Sequence, residues 1–135
     1  LCLGEHVGAF EAHVDFIVAE ATDYIHCDAD YDGGITGVMK IAHAAEGFGL
    51  DCAVHAPSPA HRHCLAAIRN ANYYELGLVN PRVKRSKPPI YQDYSDELDS
   101  IDAQGHVPVP QGPGLGVTID WDFVKSHEVG VTVYE

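Results

Sequence analysis

Residues 24–38 read Tyr-Ile-His-Cys-Asp-Ala-Asp-Tyr-Asp-Gly-Gly-Ile-Thr-Gly-Val, and their order decides the fold class. Tyr24–Cys27 has strand composition and stops at Asp28. After Gly33-Gly34 a helix is predicted over about residues 36–48, because Val38, Ile41, Ala42 and Ala45 recur at helical spacing and Gly49 ends the pattern. Strand, acidic loop and helix make one βα unit, and the same grammar runs outward in both directions.

Upstream, Leu1–Gly4 reads as the end of a strand, followed by a helix over about residues 9–21 with Phe10, Val14 and Ile17 on one face. Downstream come a short strand at Cys52–Val54, a helix over about residues 59–70 and a strand at Asn72–Glu75. Units that repeat at roughly this length argue for parallel strands with crossover helices. Beyond Gly77 the style changes: six prolines from Pro81 to Pro113 fall where helical signals are few. There Val83–Lys87 reads as a solvated basic loop. Tyr91–Tyr94 and Val107–Val109 read as extended pieces, Ile119–Val124 as a helical turn and Val129–Tyr134 as an edge strand. The division expected is residues 1–80 as the α/β part and residues 81–135 as a Pro/Gly-rich segment.

Twenty acidic against eight basic residues give a formal charge of −12 in 135 residues. That argues against nucleic-acid binding, which needs basic surface to meet phosphate. The carboxylates either solvate the surface or help to hold a divalent cation. No apolar run approaches the roughly 18 residues of a membrane span. Cys2, Cys27, Cys52 and Cys64 form no CxxC pair, and three lie in apolar stretches, so buried free thiols in a reducing cytoplasm are expected. The chain opens Leu1-Cys2-Leu3-Gly4 without Met and reads as a piece of a longer protein.

Parallel α/β folds gather their chemistry at the C-terminal ends of strands. Four such ends carry Glu5, Asp28, His55 and Glu75, spaced by 23, 27 and 20 residues, one for each βα unit. An Asp and a His so placed can form a hydrogen-bonded pair that moves a proton, and the Glu can add a hydrogen bond.

In combination, "LGEH" at residues 3–6, "CDADYDGGITG" at 27–37, "AVHAP" at 53–57 and "NYYELG" at 72–77 resemble the second half of the barrel domain of the mandelate racemase/muconate lactonizing enzyme group of the enolase superfamily. "VPVPQGPGLGVTIDWDFV" at 107–124 is similar to that group's closing segment. The resemblance implies the C-terminal half of a TIM-type (β/α) barrel, strands five to eight, with an irregular tail returning to a capping domain. It implies Glu5 as a ligand of an essential Mg2+, Asp28 and His55 as an Asp–His dyad, and Glu75 as a group that hydrogen-bonds the enolate-like intermediate. The implied activity is removal of the α-proton of a small carboxylate, most simply by a sugar-acid dehydratase. A racemase or epimerase, and a non-catalytic barrel fragment, are the alternatives. A homo-oligomer is expected of the parent.

The chemistry is coherent. Deprotonation beside a carboxylate makes a dianion that a hard cation and preorganised donors must stabilise. Histidine is the side chain whose ordinary pKa suits the base. The opposite-face lysine, the other metal carboxylates and four barrel strands lie outside the chain. Alone it is expected to be inactive, and either poorly soluble or paired with a second copy.

Other features carry less. His61 and His63 sit at i,i+2 on a helix and point apart, against a shared metal, although one of them could touch substrate. Asp30 and Asp32 either shape the pocket or solvate it. His6 reads as surface or pocket wall. Gly112–Gly116 lacks the strand–helix setting of a nucleotide loop.

Overall fold

The computed structural model describes residues 1–77, 82 and 90–134, and the basic run Val83–Lys87 lies outside them. Three short strands, β1 (Cys2–Leu3), β2 (Tyr24–Cys27) and β3 (Asp51–Val54), form a parallel sheet in sequence order. Cys2 pairs with Tyr24, and the β2–β3 register runs from Tyr24 opposite Asp51 to Cys27 opposite Val54. Helices α1 (Phe10–Val18) and α2 (Gly34–Gly47) are the crossovers between them, and α3 (Pro59–Ala67) follows β3.

Helix ends follow local chemistry. α1 stops short of its expected end because Glu20 turns left-handed at φ 51° and Ala21 N–H reaches back to Phe16 O. α2 closes the same way, with Gly49 at φ 75° and Leu50 N–H on Ala45 O. Both are Schellman endings, which satisfy carbonyls left over by the last turn. α3 begins with Ser58 accepting His61 N–H at 3.1 Å and Pro59 in its first turn, an N-cap of the usual kind.

Alternation along the strands sends one set of side chains under the helices. Ile25, Cys27, Cys52 and Val54 meet Ile17, Val38, Ile41, Ala45, Cys64 and Ile68 in one buried cluster. Each fully buried branched side chain there stabilises the fold by about 1.5–3 kcal/mol. Gly37 lets α2 sit tightly on the loop before it, since a Cβ there would lie 1.5 Å from Asp32 O. The other face of the sheet carries Tyr24, His26, Asp51, Ala53 and is only partly covered. Parallel sheets ordinarily have both faces buried.

The expected strand Asn72–Glu75 does not form. The segment runs beside β3, held by Cys52 N–H to Asn70 O at 2.7 Å and by Asn72 Nδ2 to Asp51 Oδ2 at 2.6 Å, without a ladder. Val129–Tyr134 is also irregular, although it alternates. Alternation makes a strand only where a neighbour offers a free edge.

The tail is pinned to α3. Arg62, 4% exposed, donates to Pro108 O at 2.9 Å, to Ser95 O and to Asp96 Oδ1 at 2.8 Å. Its guanidinium lies 4.4 Å from the Tyr94 ring centre and 5.2 Å from that of Tyr74, whose hydroxyls both donate to Asp96 Oδ1 at 2.7 Å. Further along, Tyr91 and Ile119 form an antiparallel bridge, and Asp93 accepts both the N–H and the hydroxyl of Thr118. The helical turn expected at Ile119–Val124 is α4, Trp121–Ser126, capped by Asp120. A one-turn 3-10 helix at Leu98–Ser100 had no sequence signal.

Candidate active site

The chain leaves β1, β2 and β3 on the same side of the sheet, so Glu5, Asp28 and His55 come together although they are far apart in sequence. His55 Nδ1 lies 2.8 Å from Asp28 Oδ2, and His55 Nε2 lies 3.0 Å from Glu5 Oε1. With Nδ1–H donating to Asp28, the other ring nitrogen is left to face the site. Glu75 anchors differently: its Oε2 accepts Ala56 N–H at 3.0 Å and lies 3.7 Å from His26 Nε2. The His26 ring meets that of His55 edge-on at 5.2 Å between centres. Asp28 and Glu5 therefore flank the His55 imidazole, and Glu75 stands beside it through Ala56 and His26.

Three residues the sequence reading left undecided or unnoticed hold this centre from beneath. Asp32 is buried and its Oδ2 accepts Asp28 N–H at 2.7 Å, so it shapes the loop, whereas Asp30 is exposed and gives its N–H to Asp28 Oδ1 at 2.8 Å. His13 lies under β2 with Nδ1 2.8 Å from Ala9 O and Nε2 3.1 Å from His26 O. Each ring nitrogen thus faces a backbone carbonyl. Asp32 Oδ2 lies 3.8 Å away, with the two side chains 0% and 2% exposed, and its other oxygen has no hydrogen-bond partner. His13 also closes on Gly4, where a Cβ would come within 2.9 Å of the ring. The only advance signal was a histidine on the apolar face of a helix, next to Val14 and Ile17.

His61 corrects an expectation. It is buried under the dyad and does not face the open side: its Nε2 accepts Ala29 N–H at 3.0 Å and its Nδ1–H donates to Ala56 O at 2.9 Å. With Asp28 Oδ1 also 3.2 Å from Nε2, the ring ties the loop after β2 to the loop after β3. His63 points the other way, to Leu115 O in the tail. Cys27, Cys52 and Cys64 are buried free thiols as expected, and Cys2 is exposed.

Burial pushes the Asp28 carboxyl up, but hydrogen bonds from His55 and from Asp30 N–H outweigh it and hold the group below its ordinary 3.8. His26 is held below its ordinary 6.5 by burial first and by the charge of His55 second. The stability owed to Asp28 is fully present above about pH 4 and is lost as pH falls through the lowered folded value. For His26 the unfolded chain takes a proton that the folded one resists, so stability declines as pH falls below 6.5. Both effects have the same sign. The urea midpoint is expected to fall steadily on acidification from pH 7, and His26→Gln should flatten the limb just below 6.5 while leaving the more acidic limb in place. An unchanged upper limb in that variant would remove His26 from the account.

A cavity of about 500 Å3 lined by Arg62, Leu65, Tyr73, Tyr74, Ile101 and Val109 shares no residue with the His55 cluster. Size does not locate the chemistry here; the converging polar groups do. Toward a hard cation, Asp28 is engaged by His55 and by Asp30 N–H, while Glu75 Oε2 is engaged by Ala56 N–H. Glu5 is the half-exposed carboxylate at the centre and fits as one oxygen ligand of Mg2+, which takes oxygen donors and keeps several waters.

Comparison with known proteins places the chain by sequence and fold. The chain is 30% identical over its whole length to D-xylonate dehydratase of Haloferax volcanii, spanning 32% of that protein. It superposes on D-glucarate dehydratase from Agrobacterium tumefaciens, complexed with magnesium, with a TM-score of 0.74 and 33% identity over 88% of the chain and 30% of the other. L-Talarate dehydratase from Polaromonas sp. JS666, complexed with Mg and L-glucarate, gives 0.67 and 31% over 92% of the chain and 31% of the other. The chain thus spans about a third of the length of these relatives. No helix among the described residues is long and apolar enough to cross a membrane. With residues 1–123 matching the family described as enolase C-terminal domain-like, the chain belongs to that family.

Proposed function

We propose that the chain supplies strands five to eight of a closed (β/α) barrel, with residues 1–80 as barrel and 81–135 as the segment returning to a cap. On this reading it serves a Mg2+-dependent dehydratase of sugar acids, cytoplasmic and oligomeric as a whole protein. The observation that carries the reading is the position of His55, bonded through Nδ1 to Asp28 at 2.8 Å while Nε2 faces Glu5 at 3.0 Å. The half-covered inner face of the sheet fits a barrel whose other strands complete the wall.

Glu5 would be one of the ligands of Mg2+, and the bound ion would supply charge stabilisation to a substrate carboxylate on loss of its α-proton. The chain's own groups do the rest. Asp28 fixes the His55 tautomer and ring orientation, as an orienting carboxylate does. His55 Nε2 takes the α-proton, and the resulting N–H is placed to protonate the departing β-hydroxyl. Glu75, with Oε2 braced on Ala56 N–H, donates a hydrogen bond to the intermediate when its carboxyl carries a proton. His61 and His13–Asp32 keep the two loops in register, so that the pair reacts from a fixed geometry.

The test is deuterium exchange at the α-carbon in D2O, with Mg2+ and a panel of sugar acids, on the intact protein. Mg2+-dependent exchange followed by loss of water is expected. Exchange that proceeds with inversion and without dehydration would replace dehydratase by racemase. No exchange with any acid of the panel would sink the proposal.

A further inference from the structure

His6 has no part in that reading, yet it is held with care. It sits at φ 60° in the turn that Val7 N–H closes on Gly4 O at 3.1 Å, a conformation that directs its ring toward the site. Its ring stacks on Tyr31 with centres 4.8 Å apart and planes 26° from parallel. The stack aims Nε2 at Glu5 Oε1, 3.3 Å away, and His55 Nε2 reaches the same oxygen from 3.0 Å. The three donors lie within 4.8 Å of one another.

We propose that Glu5, His6 and His55 form a site for a borderline divalent transition cation, Zn2+ or Co2+, distinct in chemistry from the all-oxygen coordination that suits Mg2+. Two imidazole nitrogens and one carboxylate oxygen are a set that Zn2+ takes with a water in the fourth position. At bond lengths of about 2.0–2.1 Å, a tetrahedral ion separates its ligand atoms by about 3.3–3.4 Å. The two separations from Glu5 Oε1, 3.3 and 3.0 Å, already match that, and the two ring nitrogens, within 4.8 Å of each other, close on a bound ion by side-chain rotation. The side chains of Glu5 and His6 are 51% and 58% exposed, which leaves a side for entry and for water.

The surroundings of His55 favour the same occupant. A metal-bound imidazole typically donates its other N–H to a carboxylate, which fixes the tautomer and raises its basicity. Asp28 accepts that hydrogen at 2.8 Å. Zn2+ on Nε2 takes up the lone pair that would accept the α-proton, so the cation switches off the chemistry proposed above. This consequence rests on His55 being the base; the binding itself does not.

The experiment titrates Co2+ into the intact protein in excess Mg2+ and follows visible absorption, in which a four-coordinate ion absorbs far more strongly than an octahedral one. A strong spectrum, bleached by Zn2+, is expected. His6→Asn, which keeps a residue tolerant of positive φ but shortens its reach, should weaken Co2+ binding at least about tenfold. Asp28→Asn should weaken it by about 10–100-fold through His55. Circular dichroism on both variants checks the fold. A weak octahedral spectrum, or a strong one unchanged in His6→Asn, overturns the site. Loss of Mg2+-dependent exchange counts against the proposed reaction and leaves the Co2+ spectrum intact; loss of the spectrum alone leaves exchange intact.

Discussion

Asp28→Asn is expected to cut His55-dependent α-proton exchange by about 10³–10⁴-fold while the protein stays folded. The substitution is nearly isosteric. An amide oxygen can still accept Asp30 N–H, now 2.8 Å from Asp28 Oδ1, so the loop keeps its turn. What changes is His55. Its Nδ1–H loses a charged acceptor at 2.8 Å, and the new amide N–H₂ can donate to Nδ1 instead, moving the ring hydrogen to Nε2. An imidazole with hydrogen on Nε2 has no lone pair for the substrate. Loss of an orienting carboxylate costs about 10⁴-fold in a comparable pair, and a positioned general base is worth about 10²–10⁴. The imidazolium formed after proton transfer would also lose its counter-charge. The readout is the exchange rate in D2O across pH, compared with His55→Asn. Rates within tenfold of the parent in both variants would pass the base role to a residue outside this chain, such as a lysine on the opposite face.

Arg62→Ala should destabilise the protein by about 3–5 kcal/mol, the usual cost of breaking a buried ion pair from one side. Three acceptors lose their donor at once: Pro108 O, Ser95 O and Asp96 Oδ1. Asp96 keeps its two tyrosine hydroxyls but becomes a buried carboxylate without a cation. The rings of Tyr74 and Tyr94 lose the guanidinium lying over them. Lysine is a poor substitute, because one ammonium cannot span acceptors on both sides of the fork. Because those acceptors sit in the tail, the expected sign is selective: the segment after residue 90 becomes protease-sensitive before the βα units unfold. A urea midpoint within 1 kcal/mol of the parent, with the tail still protected, would mean that α3 and the tail are held together by other contacts.

The order of the fold was legible because it rests on local chemistry. A strand run that stops at an acidic residue, a Gly-Gly pair and a 3.6-residue apolar period each act within a few residues of chain. They suffice for β1–α1–β2–α2–β3–α3 and for Glu5, Asp28 and His55 just beyond neighbouring strand ends, whereas Glu75 follows a stretch that forms no strand. The motif resemblance added the chemistry and the family. Alternation was a weaker guide: residues 72–75 and 129–134 have strand character, but a ladder needs a facing edge, which no local pattern supplies.

Tertiary structure alone decided how the site is held. His13 looked like one more residue on the apolar face of α1, and only its two carbonyl neighbours and Asp32 make it a polar support beneath β2. His61 and Arg62 are adjacent in sequence, yet one locks the loops around His55 and the other clamps the tail. Their partners come from 32 to 46 residues away or, for Ala56, from the loop just before α3, and hydrogen-bond satisfaction in a buried place depends on which groups the whole fold brings there. Sequence by itself therefore determined which residue types stand at the strand ends. The packing of helices on the sheet determined which of them touch, which nitrogen of each imidazole carries the hydrogen, and so what His55 is free to do.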